Sequence, residues 1–210
     1  MATAVDRLPK GLHRAETRKR ILESAAQVFA SKGFHHAAVD DIVKASGTSK
    51  GAVYFYFESK EQIFLSLVED YASTLAQEIQ VAVQQGRGLI AQVEAAIATL
   101  VRSFQNHRSL AKIFLIDWMA MGPEFQGKRI ALKAMLVEVL RGYLDRAIED
   151  GKIVSQDTDT AAYVWIGAIS EVVCRWLNTG KPDPLEEVLG PLTRLLLRSV
   201  GFSVSPAASR

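Results

Sequence analysis

Apolar residues recur along this chain at helical spacing, and nowhere at the alternating spacing of a strand. Ile21, Leu22, Ala25, Val28 and Phe29 make one apolar face, three to four residues apart as a helix requires. Gly33 after Lys32 is its stop signal. Thr17 is placed to cap this helix, and the aperiodic basic segment 1–14 reads as a mobile arm. A short second helix is predicted over about Val39–Ala45, with Asp40 and Asp41 in the first turn, where the dipole favours anions. Gly47 closes it. Ser49 is placed to cap a third helix, Lys50 to about Tyr56. Ser59 and Gln62 have capping-box spacing and open a long fourth helix with the face Ile63, Phe64, Leu67, Val68, Tyr71, Leu75, Ile79. It ends near Gly86-Arg87-Gly88. Further helices are predicted over Leu89–Asn106, Leu110–Met121, Glu124–Asp150 and Thr160–Asn178, the last capped by Asp157 or Thr158. Asp183-Pro184 opens a final one to about Val200. The expected fold is all-α, about nine helices, with a head over residues 15–75 and a body over 76–204.

One stretch breaks the periodicity. Residues 48–60 read TSKGAVYFYFESK, and four of the chain's fourteen Phe and Tyr stand side by side at Tyr54–Phe57. Neither a core helix nor a strand spaces aromatics that way. Two short helices around Ser46-Gly47-Thr48 have the proportions of a helix-turn-helix over about 38–57. In that motif the start of the second helix enters the DNA major groove. The composition then has a reason. The Thr48 and Ser49 hydroxyls and the free helix amides suit a phosphate, and Lys50 reaches a phosphate or a guanine edge. Gly51 and Ala52 let the backbone approach the bases, with the Ala52 methyl set against thymine. Val53 and Phe57 turn into a small core. Tyr54 and Tyr56 suit phosphates, Phe55 a sugar or thymine methyl, and Lys60 a flanking phosphate.

Charge sharpens this picture. The 210-residue chain carries only +2 overall, but residues 1–60 hold ten Lys/Arg against six Asp/Glu, and the remainder fifteen against seventeen. A basic head on a slightly acidic body points to an anionic partner, most economically nucleic acid. The single Cys174 excludes an internal disulfide and fits a reducing compartment. Met1–Arg20 lacks the apolar stretch of a secretory signal. The longest apolar runs are broken by Asp117 and Glu171, short of the ~18 residues a membrane span needs. Cytoplasmic residence without a membrane partner is expected.

The residues Thr17-Arg18, Ile21-Leu22, Ala25-Ala26, Phe29, Gly33-Phe34, Val39-Asp40-Asp41-Ile42, Ala45 through Tyr54 and Tyr56 through Glu61 resemble the N-terminal domain of tetracycline-repressor (TetR) family transcriptional regulators. The resemblance is collinear over about residues 15–65. It implies a homodimer that binds double-stranded operator DNA, represses transcription and leaves DNA when a small-molecule inducer enters the C-terminal domain. Ala38 and Val39 carry over as DNA-facing positions. Two departures stand out. The family usually has a Thr at the position of Ala38, capping the second helix and touching a phosphate, so that cap must come from elsewhere. Phe55 stands where Tyr is frequent, removing one phosphate bond.

The body offers less specific signals. Phe104, Phe114, Trp118, Met121 and Phe125 are apolar enough to line a ligand cavity, or are plain core. Asp117 is a polar contact there, or a structural pair. Ala161–Cys174 is apolar nearly all round and the last helix is rich in Leu. Packing both against a second copy in a four-helix bundle would bury them, with Trp165, Ile169, Leu192 and Leu196 as candidate interface residues. His35-His36 beside Asp40-Asp41 reads as a solvated turn rather than a metal site, since metal sets need closed geometry. No cofactor is implied. No nucleophile elbow, zincin motif or phosphate loop is present, so an enzyme is not expected. The reading is a ligand-responsive DNA-binding regulator with an apolar or amphipathic inducer, an acyl thioester, a drug-like cation and an aromatic metabolite all remaining open. The alternative is a cytosolic small-molecule carrier without DNA function, which salt-dependent duplex binding separates.

Overall fold

A computed structural model of the chain describes residues 10–202 apart from Met121. Among them are nine α-helices and no strand: α1 (Lys10–Lys32), α2 (Val39–Ser46), α3 (Lys50–Tyr56), α4 (Lys60–Gln85), α5 (Leu89–Asn106), α6 (Arg108–Leu115), α7 (Gln126–Glu149), α8 (Thr158–Thr179) and α9 (Leu189–Ser199). Helix α1 starts at Lys10, so Thr17 lies inside it rather than at its cap. The rest of the expected arm, residues 1–9, lies outside the described residues, as does the tail 203–210.

Local caps fix several boundaries. Ser49 Oγ accepts the Ala52 N–H at 3.1 Å and Ser59 Oγ the Gln62 N–H at 3.1 Å. Asp157 Oδ1 accepts the Thr160 N–H at 3.0 Å. Each satisfies an amide that the helix itself leaves unpaired. Gly47 ends α2 with φ at 62°, a left-handed turn that glycine adopts without strain. At Gly86 the reason is space: a Cβ there would stand 2.8 Å from the Gln92 nitrogen, closing the tight passage from α4 to α5.

Two expected helices are shorter than their apolar patterns. The one predicted to Met121 ends at Leu115 and passes into 3-10 turns over Asp117–Ala120 and Pro123–Phe125. Pro123 lacks an N–H and disfavours helix at the residue before it. The last helix is preceded by a 3-10 turn, Leu185–Val188. Pro191 falls in the first turn of α9, where no intrahelical N–H is required.

Burial divides into two clusters that share α4. The first joins Ile21, Ala25 and Phe29 of α1 to Phe34, Ile42 and Val53, and to Ile63, Phe64 and Val68 of α4. Each of the larger side chains among them contributes about 1.5–3 kcal/mol. The second begins at Tyr71 and Leu75 and takes in Val101, Phe104, Leu144, Trp165, Trp176 and Leu197. Ile113, Trp118 and Phe125 belong to the first cluster although they follow α5 in the chain. The body thus sends a plug of side chains into the head.

Candidate nucleic-acid interface

Helix α3 turns its inner face into the head through Val53, and Phe57 follows it inward, both essentially buried. Its other face is open. A Cβ at Gly51 would meet only Ser49 Oγ, 4.0 Å away. Phe55, one helical turn on, is 65% exposed, and Tyr54 is exposed beside it. Ala52 is half buried. An exposed Phe on a seven-residue helix is unfavourable in a lone globule but fits a surface that meets a partner.

The polar groups around this face divide by what they already hold. Ser46 Oγ lies 3.3 Å from the Val43 carbonyl and 2.7 Å from Thr48 Oγ1. With the single Ser46 proton on that carbonyl, Thr48 donates to Ser46, and its proton is used inside the turn. Ser49 only accepts in its cap, so it keeps a proton to give. Lys50 pairs with Asp40 at 2.9 Å, both exposed, and the Asp40 carboxylate holds its ammonium above the usual lysine range. An exposed pair of this kind is weak, so releasing Lys50 from Asp40 costs little.

Three expected contacts change. Lys60 Nζ donates to the carbonyls of Phe34 at 2.8 Å and Ala37 at 3.0 Å and stands 4.4 Å from the Phe34 ring centre. It pins the loop between α1 and α2 instead of waiting for a phosphate. Val39 and Tyr56 are half buried against the head core, so neither stands free on the open face. At exposed Ala38 the missing side-chain cap is replaced from the other end, because Asp41 Oδ2 accepts the Ala38 N–H at 3.1 Å. Asp41 also pairs with Lys32 at 2.7 Å. The Lys32 ammonium and the Ala38 amide hold its carboxyl below the usual range.

Residues 21–67 match the family of bacterial regulatory proteins, tetR family, and residues 86–200 match the tetracyclin repressor-like C-terminal domain. The chain belongs to the tetR family. It is a DNA-binding transcriptional regulator, not an enzyme. An uncharacterized HTH-type transcriptional regulator, YdgC, of Bacillus subtilis is 31% identical over 174 residues, covering 80% of this chain and 85% of that protein. The fatty acid metabolism regulator protein of the same organism is 22% identical over 86% of this chain and 94% of its own. The crystal structure of FadR from Bacillus subtilis in complex with stearoyl-CoA superposes with a TM-score of 0.80 at 22% identity, covering 85% of this chain and 96% of that one.

In this TetR-family regulator the expected ligand residues are mostly filled core. Trp118 and Phe125 are buried in the head cluster, and Phe104 in the body cluster. Phe114 is half buried between Tyr71, at 5.9 Å, and Trp118, at 6.2 Å. Met121 lies outside the described residues. Asp117 has one buried carboxylate oxygen without a hydrogen-bond partner, and burial pushes its carboxyl up against the opposing effect of Lys112. An open cleft of about 560 Å³ lies elsewhere, between α4 and α5, lined by Val81, Ala82, Gln85, Arg102, Asn106 and His107 among others. The expected aromatics lie away from this cleft, which is walled mostly by polar side chains.

The expected interface residues also turn inward. Trp165, Leu192 and Leu196 are buried within the subunit, and Trp165 Nε1 donates to Ser199 Oγ at 3.0 Å. Ile169 is half buried. The outward apolar positions of α8 and α9 are Tyr163, Val164 and Leu195, the last 69% exposed. A Cβ at Gly167, about one turn after Tyr163 and Val164 on α8, would meet nothing. Among the described residues no helix is long and apolar enough to cross a membrane, and no cluster of His, Cys, Asp or Glu could hold a metal.

Proposed function

We propose that this regulator is a homodimeric repressor whose head, residues 15–75, reads operator half-sites with α3, and whose body, residues 76–204, holds the inducer and the partner subunit. The observation that carries the reading is the open α3 face, with empty space over Gly51 and an exposed Phe55. Ser49, Lys50, Gly51, Ala52, Tyr54 and Phe55 form the contact set, with Thr48 shaping the turn. Two copies must reach successive major grooves, about 34–36 Å apart. The dimer, formed through the outward faces of α8 and α9, sets that separation. Helix α4, 26 residues long, spans about 39 Å from head to body and transmits it.

The inducer proposed is a long-chain acyl thioester. The kinship with a regulator of fatty acid metabolism supports this class. So does the α4–α5 cleft, where the Arg102 cation lies beside apolar Val81 and Ala82. A ligand there would press on α4 and disturb the half-site spacing, a coupling that acts equally in both directions. Calorimetry of stearoyl-CoA with and without a duplex recovered by in vitro selection tests it. Weaker ligand binding in the presence of duplex, by the same factor by which the ligand weakens duplex binding, is the expected result. Equal affinities in both titrations would overturn the proposed inducer.

A further inference from the structure

Four cations of the head are committed to carboxylates. Arg18 pairs with Asp70 at 2.7 Å, Lys19 with Glu23 at 3.8 Å, Lys32 with Asp41 at 2.7 Å and Lys50 with Asp40 at 2.9 Å. Arg14 is different. Among the described residues no carboxylate pairs with it, and its guanidinium lies over the Phe55 ring, 5.5 Å from the centroid. Phe55 is the most exposed aromatic of α3 and sits one turn beyond Gly51 on the open face. Its other neighbour, the Tyr56 ring, meets it edge-on at 5.0 Å, which leaves a broad face for Arg14.

Stacking on an aromatic ring restrains a guanidinium without neutralising it or occupying its N–H groups, which lie in the guanidinium plane. An arginine held this way loses less side-chain freedom on meeting an anion, and its planar fork matches a phosphate. Resting on Phe55 places it at the border of the surface that faces DNA. We infer that Arg14 is a DNA-backbone contact of this regulator and that Phe55 is its positioning residue, supplying through α1 a phosphate contact that a phenylalanine cannot make itself. The inference rests on the reading of α3 as the DNA-binding helix. It assigns a function to the long N-terminal extension of α1, which carries Arg14 past the head core toward α3.

The test measures duplex binding by fluorescence anisotropy across a salt series. The proteins are wild type, Arg14→Gln, Phe55→Leu and the double variant, and the probe is a duplex recovered by in vitro selection. Wild-type affinity must fall steeply with salt. If it does not, the DNA reading itself fails, independently of Arg14. Arg14→Gln is expected to make the log–log slope shallower by about 0.9 and to weaken binding roughly eightfold at ~0.1 M salt, the share of one phosphate contact. Phe55→Leu should weaken binding while keeping the wild-type slope, since the arginine remains but is no longer held. The double variant should be weaker than Arg14→Gln by less than the effect of Phe55→Leu in the wild-type protein, since only the contact of Phe55 itself is then left to lose. A wild-type slope and affinity for Arg14→Gln would overturn the assignment. Strictly additive effects would overturn the positioning role of Phe55.

Discussion

The rings of Phe34 and Phe125 meet edge to face with 6.0 Å between their centres, and Phe125 also reaches Phe64 at 6.4 Å. Phe34 belongs to the loop between α1 and α2, whereas Phe125 comes from the turn that opens α7. The side chain of a body element thus completes the core of the head. Such a joint ties the start of α7 directly to the head core. Phe125→Ala should cost about 3–5 kcal/mol, as a large aromatic leaves a packed core. Chemical denaturation checks this, and a loss below about 1 kcal/mol would show that the joint is not packed as described.

Lys60 binds two carbonyls of the α1–α2 loop and lies over the Phe34 ring. Lys60→Met keeps much of the apolar stem and removes those bonds, so stability should fall by about 2 kcal/mol. The salt dependence of duplex binding should keep its wild-type slope. A shallower slope with unchanged stability would restore the phosphate contact expected from sequence.

Leu195 and Leu196 are neighbours that face opposite ways, one 69% and the other 4% exposed. Leu195→Arg should yield a folded monomer in sedimentation, with weak duplex binding because each half-site alone is insufficient. Leu196→Arg should lose about 3 kcal/mol or more, or fail to fold, since it buries an unpaired charge. A Leu195→Arg protein that remains dimeric would move the interface away from this face.

Asp117 carries a buried carboxylate oxygen with no partner, and burial raises its pKa above the ordinary value of 3.8. The folded chain therefore holds this proton more tightly than the unfolded chain. The site is without penalty below about pH 3.8, loses stability as pH rises through the interval up to the folded pKa, and carries the full penalty above it. Asp117→Asn should raise the melting temperature at neutral pH, with the gain vanishing on acidification toward the ordinary carboxylate range. A gain independent of pH, or a loss at neutral pH, would contradict the assigned cause.

The elements that sequence reveals well are those fixed by adjacent residues. Ser49, Ser59 and Asp157 cap helices whose N–H groups lie three residues away, and Gly47 ends α2 through its own backbone angle. The starts of α3, α4 and α8 follow from such local chemistry. The open face of α3 was legible for the same reason, because Gly51 and Ala52 stand out in any short helix. Contacts between distant segments were not legible. Lys60 finds its partners 26 and 23 residues upstream, and nothing in its neighbours announces that. Leu192, Leu195 and Leu196 all satisfy one helical period, so only the packing of α9 decides that Leu195 looks out. Aromatics that fill a core and aromatics that line a cavity are the same residues, which is why Phe104, Trp118 and Phe125 were expected at a ligand.

The central claim is that α3 enters the major groove through the empty space over Gly51. Gly51→Leu fills that space, where a Cβ would meet only Ser49 Oγ at 4.0 Å. Leucine is also the better helix former by somewhat under 1 kcal/mol, so the variant should fold with stability within about 1 kcal/mol of wild type. Anisotropy titrations of wild type and Gly51→Leu against the selected duplex and a scrambled one decide the matter. The expected result is a drop of the variant to its affinity for the scrambled duplex, roughly 10³-fold or more below wild type, with an unchanged melting curve. Wild-type affinity and wild-type preference for the selected duplex in a well-folded Gly51→Leu protein would contradict the account.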